Sequence, residues 1–250
     1  MWPVLFYIGK YPVHSYGLML AVAVLVGLLV AEREAKRREI DPDFVLNLTI
    51  VLVIAGVIGS RIAYVLVEWP HFAANPWSVL RIWDGGLSYY GALAAGLPFV
   101  FLLSRRVNLR FGEVADLVAI GLSAGYPFAR VGCFLNGCCY GKPTDLPWGV
   151  TFTVYDVPRH PTQLYSMVIG ALIFFALWLL RKRKQYPGQI AIFYVLFYAV
   201  YRFIIDFWRV SPPAGAYLTI GQVASIVAAG IAVSILVLRS SSRRTNTEDE

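Results

Sequence analysis

The sequence predicts an all-α polytopic membrane protein, on three observations. About seven apolar segments of membrane-spanning character recur along the 250 residues. Basic residues gather in short clusters between them, and no soluble block of domain size interrupts the series. The composition agrees, because 58% hydrophobic and 15% charged residues, with a mean hydropathy of +0.62, is more apolar than ordinary globular usage. A single integral-membrane domain over residues 1–239 and a polar, disordered cytosolic tail over residues 240–250 are expected.

The net charge of +7 does not point to nucleic acid. The basic residues sit in short runs between apolar segments rather than on one soluble face. No period of twenty to fifty residues repeats, so repeat architectures are set aside. The first fifteen residues carry Pro3, Lys10 and Pro12 and lack a charged leader, so the first apolar run is expected to be retained.

The segments run over about 16–32, 44–67, 87–104, 114–130, 163–180, 189–208 and 218–238. His14-Ser15-Tyr16-Gly17 opens the first, and Arg61 lies inside the second. The proline- and tryptophan-rich stretch between the second and third reads as an interfacial loop with aromatic anchors. Asp84-Gly85-Gly86 and Tyr90 lead into the third. Glycines there let backbone amides approach an anionic ligand at a helix N-terminus, and a plain tight turn reads equally well. The fourth contains Asp116 and Pro127 and runs into GYPFARVGCFLNGCCYGKPTDLPWG, Gly125 to Gly149. There the helix is expected to end early and hand over to re-entrant backbone around a polar pocket, since broken backbone in lipid must be satisfied by protein or water. Arg159-His160-Pro161-Thr162-Gln163 precedes the fifth, and the sixth carries Arg202 and Asp206, with Arg209 after them.

Orientation follows from the basic residues. Those after the first, third, fifth and seventh segments make up 14 of the 22 lysines and arginines. By the positive-inside rule the N-terminus is outside and the C-terminus cytosolic, and the loop after Arg130 faces outward.

Charge within apolar segments needs a reason, because an arginine at the bilayer centre costs about 2.5–3.5 kcal/mol on the lenient insertion scale. Arg202 and Asp206 are four residues apart on one helical face. One reading is an ion pair that makes the buried charge tolerable, with Arg209 reaching to the interface. The other is a site where Arg61, Arg202 and Arg209 receive an anionic headgroup, for which the forked guanidinium is suited. Cys133, Cys138 and Cys139 are expected to be buried thiols, with one local disulfide as an alternative. A metal is not expected, since the spacing holds no CxxC pair and no compact fourth ligand follows.

These residues resemble the bacterial prolipoprotein diacylglyceryl transferase family along nearly the whole chain: HSYGLM, SRIAYV, WDGGLSYYGAL, ARVGCFLNGCCYG, RHPTQLY and YRFIIDFWR occur in family order. The resemblance implies transfer of the diacylglyceryl group of phosphatidylglycerol to the lipobox cysteine in the signal peptide of a prolipoprotein, in the cytoplasmic (inner) membrane, by a multi-pass monomer that uses no cofactor or metal. It implies lipid-binding or catalytic roles for Tyr16, Arg130, Asn136, Gly141, Arg202, Asp206 and Arg209. Arg61, Asp84, Gly85, Gly86, His160 and Gln163 join them as substrate-binding candidates. Tyr90 stands where well-studied members carry histidine, Cys133 where the signature has asparagine, Cys138 where it has the acid, and Ser166 where a glutamate is common. A phenol, with a reference pKa of about 10, is a poor base at neutral pH. The departures therefore spare the phosphate-binding arginines and fall on thiol activation. A phosphatidylglycerol-binding protein, or a transferase with another acceptor, is the alternative reading. A transporter is set aside for want of a pseudo-repeat.

Overall fold

The computed structural model describes residues 1–81, 85–214 and 217–248, with side chains described as far as Ser240. A short antiparallel hairpin, β1 (Val4–Ile8) and β2 (Tyr11–His14), opens the chain. Helices follow: α1 (Ser15–Arg37), α2 (Pro42–Val67), the short α3 (Trp69–Ala74), α4 (Tyr89–Arg106), α5 (Phe111–Asn136), α6 (Thr162–Leu180), α7 (Gln189–Ile205) and α8 (Ile220–Glu248). Single 3₁₀ turns cover Pro76–Leu80 and Arg181–Arg183. The hairpin is absent from the sequence reading. Its two-residue turn is Gly9-Lys10, with Gly9 at a φ of +62°, which suits the twist of paired strands.

All seven apolar segments are helical. Among the described residues five helices, α1, α2, α5, α6 and α8, are long and apolar enough to cross a membrane, so the chain is an all-α membrane protein. The apolar α7 has 17 residues. The 18 residues of α4 contain Pro98 and end on Arg105 and Arg106. One boundary differs from expectation: α5 continues through Pro127, Arg130 and Cys133 to Asn136, and irregular backbone begins only at Gly137. Helix α8 continues as backbone to Glu248.

The chain forms two compact units. One comprises Met1–Ala31 with Asp116–Glu250, the other Glu32–Ala115. In the first, Ile120 of α5, Ile173 and Leu177 of α6, and Ile190, Tyr201 and Ile205 of α7 form a buried apolar cluster, and α7 packs on α6 and on α8. Asp116, fully buried, organises one end of this unit. Its carboxylate accepts from the backbone N–H of Gly188 (3.1 Å) and Ala191 (3.0 Å), around the start of α7, and from Lys184 Nζ at 3.0 Å. Free N–H groups at a helix start are satisfied this way, and the helix dipole favours the negative charge.

In the second unit α2 and α4 pack closely. A β-carbon on Gly59 would fall 2.5 Å from the carbonyl oxygen of Gly91, so only glycine allows the crossing, as small residues do between helices in lipid. Helix α2 starts with Asp41 accepting from Asp43 N at 2.9 Å and with Pro42 in the first helical position.

Candidate functional site

The end of α5 builds the site in the first unit. Gly137, at a φ of +73°, terminates the helix: its N–H donates to Phe134 O and the N–H of Cys138 to Cys133 O, both at 3.1 Å. This is the paired arrangement that closes a helix through a left-handed glycine, and it folds the second residue past the end back over the last turn. Cys138 is thereby laid beside Cys133. Cys139 adopts a φ of +63°, uncommon for a residue with a side chain, and its thiol joins the other two. The three Sγ atoms all lie within 4.8 Å of one another, and all three thiols are free.

The start of α6 fixes this loop. Gln163 Nε2 donates to Cys138 O at 2.6 Å, and Thr162 Oγ1 to Cys139 O at 2.8 Å; both side chains are buried. Gly141 is held on three sides. It pairs with Arg209 across an isolated bridge, its N–H donates to His160 O at 2.9 Å, and a β-carbon would meet Trp208 O at 2.5 Å and His160 Cβ at 2.7 Å. Arg159 Nη1 donates to Gly141 O at 3.1 Å.

The arginines differ in what they hold. Arg130 stacks on the Tyr126 ring one turn back in α5, at 4.7 Å from the centroid, and its donors have no protein partner among the described residues. Arg202 Nη1 is paired with Asp206 Oδ1. Asp206 is buried and also accepts from Ser211 Oγ at 2.8 Å and from Thr219 Oγ1. The ion pair of the first sequence reading is thus present, and among the described residues the other side of the Arg202 fork is uncommitted. The Nε of Arg209 is buried without a partner among the described residues. The positive charges of Arg209 and Arg130 both reach Cys139, whose thiol is held below the ordinary range. The larger cause is hydrogen bonding from Cys133 and Cys138, the two guanidiniums add to it, and burial opposes it.

Tyr16 packs against Gly132 at the start of α1 and faces the three cysteines and Arg130. Asn136 lies beside Cys138. His160 Nδ1 is 3.3 Å from Tyr165 OH, which accepts from Trp148 Nε1 at 2.8 Å. Sequence reasoning missed a chain of hydroxyls behind these groups. Tyr126 OH lies 3.0 Å from Tyr201 OH, which donates to Ser166 Oγ at 2.5 Å, which donates to Thr162 O at 2.5 Å. The four-residue spacing of Tyr126 and Arg130 was the one available signal. Arg159, over the Tyr155 ring at 3.8 Å, carried none.

Four of the other candidates belong to the second unit. Arg61 was expected to receive a headgroup. Instead its donors reach five carbonyls of its own neighbourhood: Ser78 (2.6 Å), Val79 (2.9 Å), Arg81 (3.1 Å), Gly85 (2.7 Å) and Gly86 (3.2 Å). Its position makes it an organiser of the loop before α4. Gly85 and Gly86 have φ of +87° and +75°, the conformation a tight turn demands. Tyr90 lies in the first turn of α4, more than half exposed and edge-on to Tyr89. Asp84 lies outside the described residues.

Residues 3–238 match the profile of the family described as prolipoprotein diacylglyceryl transferase. The chain is 36% identical over 218 residues to the phosphatidylglycerol–prolipoprotein diacylglyceryl transferase of Clostridium tetani, covering 85% of this chain and 87% of that protein. It is 34% identical over 235 residues to the enzyme of that name from Clostridioides difficile, covering 94% of each. With that of Thermosynechococcus vestitus it shares 35% identity over 231 residues, 88% of this chain and 86% of the relative. Similarity at this level over this share of the sequence means that the chain belongs to the prolipoprotein diacylglyceryl transferase family.

Proposed function

We propose that the chain transfers the diacylglyceryl group of phosphatidylglycerol to the thiol of the lipobox cysteine of a prolipoprotein. The reaction makes a thioether and releases glycerol phosphate. In this reading seven helices span the bacterial cytoplasmic membrane with the N-terminus outside, and a monomer works at the outer leaflet.

One observation in the site supports this chemistry above the others. Arg130 is stacked on Tyr126 beside the cysteine loop, and its donors have no partner among the described residues. A guanidinium so placed suits phosphate oxygens and stays charged throughout. As sulfur attacks the glyceryl carbon and the carbon–oxygen bond breaks, negative charge grows on the departing phosphate. Arg130, Arg202 and Arg209 would therefore bind the transition state more tightly than the ground state. Asp206 positions Arg202, Gly141 and Asn136 shape the loop, and Tyr16, His160 and Gln163 border it. In the other unit, Gly85, Gly86 and Arg61 form the approach to α4 and Tyr90, and Asp84 belongs to the same motif.

Expressing the chain in cells depleted of their own transferase tests the proposal. A lipobox substrate should gain the mass of a diacylglyceryl group. A well-inserted chain that adds no such mass would overturn the proposal in favour of a phosphatidylglycerol-binding protein or another acceptor.

A further inference from the structure

We infer that Cys133, Cys138 and Cys139 form a three-thiolate site for a zinc ion whose fourth position is taken by the acceptor thiol. The inference rests on the function proposed above and supplies the step that Tyr90 is ill suited to perform. It departs from the sequence expectation of metal-free buried thiols, because the spacing in the chain did not show that the helix end brings the sulfurs together.

The geometry is close to what zinc requires. Tetrahedral zinc, with Zn–S of about 2.3 Å, separates its sulfurs by about 3.8 Å. The three Sγ atoms already lie within 4.8 Å of one another, so side-chain rotation closes the difference. The helix closure at Gly137 fixes Cys138 over Cys133, and Gln163 and Thr162 hold the carbonyls of Cys138 and Cys139.

The donor set selects the ion. The cluster offers three sulfurs and neither imidazole nor carboxylate, a soft set that favours zinc over calcium or magnesium. Structural zinc sites close with four protein ligands, whereas three ligands and an open position mark a site that takes water or substrate. Charge selects the fourth ligand. Three thiolates and Zn²⁺ sum to one negative charge, and a fourth thiolate makes two. The guanidiniums of Arg130 and Arg209, whose charges reach Cys139, then balance the site, which favours an anionic sulfur there over neutral water.

The chemistry balances. The lipobox thiol binds zinc and loses its proton to solvent, since a coordinated thiol is deprotonated outright. Its sulfur attacks the glyceryl carbon bonded to the phosphate oxygen. The sulfur–carbon bond forms, the carbon–oxygen bond breaks with its electron pair on oxygen, and glycerol phosphate leaves against the arginines. The product thioether is neutral, a weaker zinc ligand than thiolate, and dissociates.

The test uses the full chain purified in detergent. Elemental analysis should find about one zinc per chain, and Co²⁺ in its place should give thiolate charge-transfer absorption. Adding a synthetic lipobox peptide should shift the cobalt spectrum, and the same peptide with serine for cysteine should not. Chelation should lower transfer at least about tenfold and one equivalent of Zn²⁺ restore it. Cys139→Ser should weaken metal retention. Full transfer by metal-free protein would overturn the inference and leave the transferase reading intact. A disulfide within the trio, no cobalt absorption, or a spectrum indifferent to the cysteine peptide would overturn it as well. Should the complementation assay fail, the metal content and the peptide-dependent spectrum still judge the site.

Discussion

Gly221 lies against the carboxylate of Asp206: a β-carbon at position 221 would sit 2.5 Å from Oδ2 and 2.7 Å from Arg202 Nη2. Alanine there must displace the Arg202–Asp206 pair, because carbon and a charged oxygen cannot approach so closely. Gly221→Ala is expected to lower transfer at least about tenfold, since a small misplacement of a catalytic group is costly, while the protein still accumulates in membranes. Unaltered turnover would mean that the pair's position is not critical.

Arg130→Lys and Arg202→Lys should each be severely impaired although the charge is kept. Lysine presents a compact charge that cannot make the planar, forked contact to phosphate oxygens. Losing one preorganised donor costs about 2.7–4 kcal/mol in the transition state, roughly a hundred- to thousand-fold in rate. The measurement is the initial rate of lipid transfer at matched protein levels. Turnover near that of the parent in both variants would remove the phosphate clamp.

Asp116 makes a prediction about stability alone. Asp116→Ala leaves Lys184 and two backbone N–H groups around the start of α7 without their acceptor, at a cost of about 3 kcal/mol. The midpoint of thermal unfolding in detergent should fall by several degrees. An unchanged midpoint would show that water or rearrangement replaces the carboxylate.

Tyr90→Phe is expected to lose less than about tenfold in rate, because a base other than the phenol, or a metal, would ionise the acceptor thiol. Tyr90→His should be active and acquire a pH dependence near 6–7 from its imidazole. A pH–rate profile of the three forms decides. An inactive phenylalanine variant, with a parent rate that climbs toward pH 10, would identify the tyrosine as the base.

The seven helices were legible because hydropathy over about twenty residues is strong and nearly context-free. The end of α5 was less so. Pro127 and the glycines argued for an early stop, yet helix neighbours absorb such residues in a membrane protein, and the true end is set by Gly137. The Arg202–Asp206 pair could be read from its spacing of four, whereas Ser211, Thr219 and Gly221 reach Asp206 only through the fold. Arg61 shows a related limit: the sequence exposed a charge in an apolar run but not the five carbonyls that its donors reach. The cysteine trio was visible as residues and invisible as a cluster, since spacings of five and one match no metal motif until a helix closure folds them together.

That closure also governs how the loop can change length. The stretch from Cys133 to Cys139 is metered by two hydrogen bonds that count residues, Gly137 to Phe134 and Cys138 to Cys133. One residue inserted before Cys138 would move the left-handed position off glycine and turn the thiols to different sides, whatever its chemistry. Downstream of Lys142 the loop is tied by bridges from Pro143 and Val150 to Arg159, by Thr144 N donating to Pro158 O at 3.0 Å and by Trp148 Nε1 donating to Tyr165 OH at 2.8 Å. An insertion between Thr144 and Gly149 should therefore pull on Tyr165 and, through it, on His160 Nδ1, so this segment too tolerates little change in length.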